Sequence, residues 1–305
     1  TRLSEPVMAT KQILITGGTG FVGTNLIPQL LDDGWDVQVL TRDKAAAEKT
    51  LPAAVSCIES LDHAAEPQAI VNLAGENLAD GRWTDARKQE MRESRLSITR
   101  DLVAFIGTCE TAPAVLVSGS AVGYYGARGT EVLDEDKTPG DEFQADLCRD
   151  WEAEALKAED HGVRVCLIRT GIVLGAEDGA LAQMITPFKF GLGGHFGSGE
   201  QYMPWIHIAD ETGAIRFLLD NDTARGPFNL AAPEPVTNQT FTDTLARVLH
   251  RPSFAWVPGP ALKMAVGEMS HLLLTGQRAL PRKLQTLGYE FVFTDLEAAM
   301  ADLVG

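Results

Sequence analysis

Gly17, Gly18, Gly20 and Gly23 stand in the run Ile13-Leu14-Ile15-Thr16-Gly17-Gly18-Thr19-Gly20-Phe21-Val22-Gly23, a spacing that suits a backbone approaching an anion closely. Gly17 and Gly18 allow a sharp turn, Gly20 carries no Cβ to block a phosphate, and Gly23 lets the following helix pack against the strand. Thr19 belongs to the same cradle. A β-branched strand leads into the loop, and the amphipathic run Phe21, Leu26, Ile27, Leu30 and Leu31 leaves it and ends at Gly34. The helix N-terminus then faces the pyrophosphate of a dinucleotide. A P-loop is excluded because no Gly-Lys-Ser/Thr follows, and a tight turn that binds nothing is the bland alternative.

The next strand ends in Val39-Leu40-Thr41-Arg42, where a dinucleotide fold meets the adenosine ribose. A carboxylate there selects NAD, and a cation accommodates the extra phosphate of NADP. Arg42 offers a planar fork for bidentate phosphate binding and Thr41 a hydroxyl donor, so NADP(H) is the expected cofactor. Two readings compete with this one. Asp43 takes the ribose hydroxyls, or Arg42 is only a solvated surface residue.

Other reactive side chains carry less. His207, within Pro204-Trp205-Ile206-His207-Ile208, titrates near neutrality and is either a cleft residue or a structural histidine among apolar neighbours. His195 lies in a glycine-rich loop and is either part of a lid or solvated. The six histidines show no metal-binding spacing with carboxylates, and Cys57, Cys109, Cys148 and Cys166 form no CxxC pair. Neither a catalytic metal nor a disulfide framework is expected.

These residues need a scaffold. Gln12 to Thr16, Val37 to Thr41, Ala69 to Leu73, Val115 to Ser118 and Val163 to Thr170 read as strands alternating with helical patterns. That rhythm predicts an α/β fold, a doubly wound parallel sheet with ligands at the carboxyl ends of its strands. After Gly175 glycine-rich loops and prolines take over, which reads as a smaller C-terminal cap lobe. The expected division is a dinucleotide-binding domain over 11–175, to which later segments return, and a substrate and cap region over 176–305. Within the cap, Asn238 to His250 reads as a helix capped by Asn238, and Asp295 to Leu303 as the last helix. Thr1 to Val7, ahead of Met8, reads as an upstream remnant outside the fold.

Composition bounds the partners. A chain of 305 residues with 45% apolar content can bury a large core. Its 26 Lys and Arg against 42 Asp and Glu give a net charge of −16, whose field repels nucleic acid and anionic lipid. No apolar run approaches the roughly 18 residues of a membrane helix, and no signal-peptide core is present. A cytoplasmic protein with a small-molecule substrate, no nucleic-acid or membrane partner and room for a homodimer is expected.

With Asn72-Leu73-Ala74-Gly75 after a later strand and Ser118-Gly119-Ser120 after the next, the chain resembles the extended short-chain dehydrogenase/reductases nearly end to end. More narrowly, it is similar to the atypical YfcH-type branch of the epimerase family, some members of which carry a cell-division-inhibitor label. The narrower likeness rests on the segments 72–77, 82–84, 94–95, 120–126, 169–175 and 204–208, followed by a small C-terminal module covering about Pro252 to Leu303. Gly276, Gln277 and Pro281 lie near the middle of that module.

The resemblance implies a Rossmann-like fold in which Gly17, Gly20, Phe21, Val22 and Gly23 hold the pyrophosphate and Thr41 and Arg42 the adenosine phosphate. Leu73, Ala74 and Gly75 then line the adenine and ribose path, with Ser118 nearby. The helix from Thr84 to Phe105 passes beside the cofactor, which makes Glu90 and Arg95 either ribose and phosphate contacts or members of a solvated salt-bridge face. In the cap, Tyr202, Trp205 and His207 are implied substrate-pocket residues or else core.

Catalysis in the wider superfamily is a proton relay of a serine with a Tyr-x-x-x-Lys pair on the next helix, the lysine lowering the tyrosine's pKa. Ser120 matches the serine. The helix from Phe143 to Glu152 has neither partner in register, and none of the four tyrosines has lysine four places on. Three readings compete: Tyr125 or Tyr124 supplies the proton; substrate groups or water supply it while Ser120 orients; or NADP binds without turnover. The bland reading packs both tyrosines in their loop. The expected function is an NADP-dependent oxidoreductase or epimerase acting on a small carbonyl, alcohol or sugar-nucleotide substrate, the alternative a non-catalytic NADP-binding sensor.

Overall fold

Strands in which nearly every residue is apolar must be covered on both faces, and the computed structural model, which describes residues 11–304 apart from 80 and 177, shows this arrangement. Seven strands, β1 (Lys11–Thr16), β2 (Trp35–Leu40), β3 (Ser56–Ile58), β4 (Ala69–Asn72), β5 (Val115–Ala121), β6 (Arg164–Thr170) and β7 (Gly226–Leu230), form the main sheet. Their order is β7-β6-β5-β4-β1-β2-β3, and every neighbouring pair is parallel. The α/β, Rossmann-like class expected from the alternation is the observed one. The segment Thr1 to Val7 lies outside the described residues.

Alternation along each strand divides two cores. Ile13, Ile15, Val71 and Val117 face α1 (Phe21–Asp32) and α6 (Ile208–Asp220), whose Leu26, Leu30, Ile215 and Leu218 complete one cluster. Leu14, Ile70, Leu116 and Leu167 face the other way, onto Leu102 and Ile106 of α3 (Asp85–Ile106) and Ala155 of α4 (Phe143–Leu156). Burial of one such side chain stabilises by roughly 1.5–3 kcal/mol, so a shift of register by one residue would cost many such terms.

Two strands escaped the sequence pattern. β3 has only three residues, too few for a period to show. In β7, Pro227 reads as a loop signal, yet β7 is an edge strand, where proline's missing N–H costs no ladder bond. Its Phe228 and Leu230 are buried in the first core.

A third cluster joins α5 (Gly179–Lys189) and α7 (Asn238–Val248) to the helix Leu296–Val304 through Leu181, Phe188, Phe241, Leu245 and Met300. Asn238 is not the cap of α7. The Thr237 hydroxyl takes the Thr240 N–H at 3.2 Å, while Asn238 is buried and its Oδ1 accepts from the Phe196 N–H at 2.9 Å. The helix stops at Val248 rather than His250, where the chain turns into the left-handed region with φ 52°.

Candidate functional site

The loop between β1 and α1 is built by contact. Gly17 has φ +70°, and a Cβ there would lie 2.6 Å from the Leu73 carbonyl carbon, so only glycine lets the β1 and β4 loops meet. A Cβ on Gly23 would sit 2.6 Å from the Gly17 oxygen, which explains how α1 starts so close to the turn. Gly20 precedes α1 without any side-chain cap, leaving first-turn N–H groups of Phe21, Val22 and Gly23 for an anion.

That helix end opens on a cleft of about 900 Å³. Gly17, Thr19 and Gly20 form one wall, Thr41 and Arg42 the end of β2, and Leu73, Ala74 and Gly75 the end of β4. Sequence reasoning missed Ser60 and Leu61 after β3, Ser97 and Ile98 of α3, and Glu76 after Gly75. The first two follow a strand too short to recognise. Asp43, the alternative ribose ligand, is engaged elsewhere: its Oδ1 caps α2 (Lys44–Thr50) by accepting the Ala46 N–H at 2.9 Å.

Three expected cofactor contacts have other partners, and a fourth, Phe21, offers the loop its N–H alone. Ser118 is fully buried and accepts from Asn72 Nδ2 at 3.2 Å, within a set that also ties Thr16 and Thr99 to Asn72. Arg95 donates to the Met91 and Glu76 carbonyls and stacks 5.2 Å from the Trp151 ring, so it supports the Gly75 turn from below. Glu90 is exposed, pairs with Arg87 at 3.1 Å, and does not line the cleft. Phe21 presses its ring onto Gly175 and Gly179, where a Cβ would come within 2.2 and 2.9 Å.

Strand register assembles the polar centre. Ser120 of β5 stands opposite Arg169 of β6, which stands opposite Asn229 of β7. Ser120 donates its hydroxyl to Glu152 Oε1 at 2.7 Å. Arg169 grips both Glu152 oxygens at 2.8 Å through Nε and Nη2, a fork-to-fork pair. Burial opposes the charge of Arg169, but Glu152 and Tyr125 outweigh it and move its pKa upward. Glu152 and Arg169 were not anticipated, because nothing in the α4 or β6 sequence shows that the two will meet.

Tyr125 is not available as an acid. It is 0% exposed, its hydroxyl donates to Asn229 Oδ1 at 2.6 Å, and it accepts from Arg169 Nη1 at 3.0 Å. Burial pushes the phenol far above its ordinary value, although Arg169 pulls the other way. Tyr124 is half-buried, with the Arg169 guanidinium 3.5 Å from its ring centroid. Cys148, on the α4 face toward Ser120, is a neutral thiol, since burial pushes it up to about 11.

The cap residues divide likewise. Trp205 is 0% exposed in the third core, with its indole donating to the Glu234 carbonyl. His207 is a structural histidine: its Nδ1 accepts the Ala209 N–H at 3.1 Å and caps α6, and its ring stacks on Phe293 at 3.9 Å. Burial lowers its pKa; Asp302, 3.3 Å away, opposes that shift. Tyr202 stays partly exposed, 5.1 Å beneath the Arg278 guanidinium. His195 lies in the short strand Gly194–Phe196, paired with Ala255–Val257, against Gly199. Among the described residues, no group of three or more His, Cys, Asp or Glu could hold a metal ion, and no helix is long and apolar enough to cross a membrane.

Parallel order, the glycine cradle and a hydroxyl at the end of β5 define a Rossmann-like dinucleotide-binding protein of the extended short-chain dehydrogenase/reductase type. The model of the NAD dependent epimerase/dehydratase family matches residues 13–231, and the chain belongs to that family. A domain of unknown function, DUF1731, matches residues 257–303. An epimerase family protein of Staphylococcus aureus (strain MRSA252) is 39% identical over 301 residues, covering 96% of this chain and 99% of that protein. The crystal structure of human epimerase family protein SDR39U1 (isoform 2) with NADPH has a TM-score of 0.88 at 34% identity, covering 96% of this chain and 98% of the human one. A nucleoside-diphosphate sugar epimerase from Corynebacterium glutamicum has a TM-score of 0.78 at 32% identity, covering 97% of this chain and 59% of that one.

Proposed function

We propose that the chain is an NADP(H)-dependent oxidoreductase or epimerase acting on a small carbonyl, alcohol or sugar-nucleotide substrate. The observation that carries this reading is the Ser120 hydroxyl, at the carboxyl end of β5 and 2.7 Å from Glu152 Oε1. Ser120 is buried and donates to Glu152, which Arg169 holds, so its hydroxyl oxygen keeps acceptor capacity for a substrate hydroxyl that reaches the end of β5. When bound, NADP(H) supplies or takes up the hydride. Ser120 then accepts from the substrate in its alcohol form or turns its hydroxyl from Glu152 to the substrate in its carbonyl form, and Tyr124, whose half-buried ring lies against the Arg169 guanidinium, exchanges the proton. NADP(H) is supported by Arg42 in the cleft, by the diversion of Asp43 to the α2 cap, and by the NADPH carried by the human relative. The narrower YfcH-type grouping belongs to this reading and rests on the motif residues alone.

A screen of carbonyl and sugar-nucleotide pools with NADPH oxidation as readout tests it. Turnover is expected on at least one pool, and Ser120→Ala should lower it by about 100-fold or more while leaving NADPH binding intact. Intact binding with no turnover on any pool would overturn the reading and leave the sensor.

A further inference from the structure

Glu76 sits in the mouth of the cofactor cleft between two guanidiniums. Its Oε1 is 3.3 Å from Arg42 Nη1, and its Oε2 is 3.7 Å from Arg87 Nη2. The backbone around it is held firmly: the Glu76 N–H donates to the Ser94 hydroxyl at 3.1 Å, and its carbonyl accepts from Arg95 at 2.8 Å. A Cβ on Gly75 would meet the Arg95 guanidinium carbon at 2.9 Å, so the turn and the Arg95 side chain are packed against each other. The carboxylate is therefore presented by a rigid turn rather than by a mobile loop. Arg42, in contrast, is 93% exposed in its side chain and free to swing. Among the described residues lining the cleft, Arg42 is the one cation, facing the carboxylates Glu59, Glu76, Glu93 and Asp101.

We infer that Glu76 is a specificity-determining residue, a built-in competitor for the cation that would hold the adenosine 2′-phosphate. This inference rests on the NADP(H) reading. A phosphorylated cofactor must draw Arg42 away from Glu76 and bring its own negative charge close to that carboxylate. A cofactor with a free ribose hydroxyl needs neither step, and its hydroxyl is a donor that the carboxylate can accept. Glu76 thus narrows the preference for NADPH that Arg42 creates, and the pair lets one cleft take both cofactors.

Titration of NADPH and NADH against the full chain, followed by cofactor fluorescence at low and high salt, tests this with wild type, Glu76→Gln, Arg42→Ala and the double variant. Glu76→Gln is near-isosteric, and an unchanged melting temperature shows that it folds. It should raise the NADPH-over-NADH preference about tenfold, equivalent to about 1.4 kcal/mol. In the Arg42→Ala background the same substitution should shift the preference less than it does in wild type, because the competed cation is gone while the repulsion between the carboxylate and the 2′-phosphate remains. A preference that Glu76→Gln leaves unchanged or lowers, while Arg42→Ala still weakens NADPH, overturns the inference and leaves the NADP(H) reading standing. If Arg42→Ala leaves NADPH binding unchanged with and without Glu76, the NADP(H) reading itself falls.

Discussion

Residues that look alike in sequence are separated by what surrounds them. Tyr124 and Tyr125 are neighbours with the same phenol, yet one keeps a solvent path and the other is sealed among Asn229, Arg169 and the buried loop core. Buried ion pairs such as Glu152 with Arg169 are costly to break from one side, by about 3–5 kcal/mol, because the remaining charge has no partner; this ties Ser120's geometry to the stability of the fold. Glu211 shows a different balance. Its Oε1 accepts from the Thr170 hydroxyl at 2.8 Å, its Oε2 is buried with no hydrogen-bond partner, and burial pushes the carboxyl up to about 8. The folded chain therefore keeps this proton where the unfolded chain has lost it. Glu211 contributes fully below its unfolded pKa of about 4.3, and its contribution declines by about 1.4 kcal/mol per pH unit as pH rises toward 8. Glu211→Gln, measured by urea unfolding across pH 5 to 8, should flatten that decline; an unchanged slope would show that the carboxyl is ionised in the fold.

Elements position the site through their ends. The β1–α1 turn exists because Gly17 tolerates both a left-handed backbone and contact with the β4 loop, so strand, loop and helix are coupled at one atom. Gly17→Ala is expected to cost about 1–3 kcal/mol of strain and to abolish high-affinity dinucleotide binding, since Leu73 must move. Gly34→Ala is the control. Gly34 has φ +83° but nothing within 4 Å of its Cβ position, so it should lose stability alone. Denaturant unfolding with NADPH titration separates the two, and equal cofactor affinity in both variants would contradict the assignment of the loop. At the other end of the chain, α6 is started by His207 rather than by a more usual Ser, Thr, Asp or Asn, which diverts that side chain from any cleft.

At the scale of the whole molecule, the C-terminal module is clasped to the nucleotide-binding half. Arg82 donates through Nε to the Ala265 carbonyl at 3.1 Å and also reaches the Met264 carbonyl, and Lys88 pairs with Glu268 at 2.5 Å. Met269 and Leu272 pack on the cluster of Trp83, Met91 and Leu147 beneath. The clasp touches the same 76–88 stretch that carries Glu76 and Arg87, so the mouth of the cleft and the module share one support. Arg82→Ala should raise amide hydrogen exchange across residues 259–274 while β1, β4 and β5 keep their protection. Exchange unchanged in that segment would mean that apolar packing alone holds the module.

Five of the seven strands of the main sheet and the glycine cradle were legible because they are local: strand periodicity and glycine spacing act over fewer residues than one element. Arg42 was legible for the same reason, standing at the end of a recognisable strand. What the linear order could not show is which side chains become neighbours across strands. Ser120, Arg169 and Asn229 lie on three strands and meet only through register, Glu152 reaches them from α4, and Glu76 crosses to Arg42 from a different loop. Burial decided the rest, sealing Tyr125, Trp205 and Ser118 while leaving Tyr124 and Tyr202 partly open. Local sequence thus determines where a dinucleotide lies, and tertiary packing decides which hydroxyls and charges remain free to meet it, because desolvation and partner geometry are properties of the assembled chain.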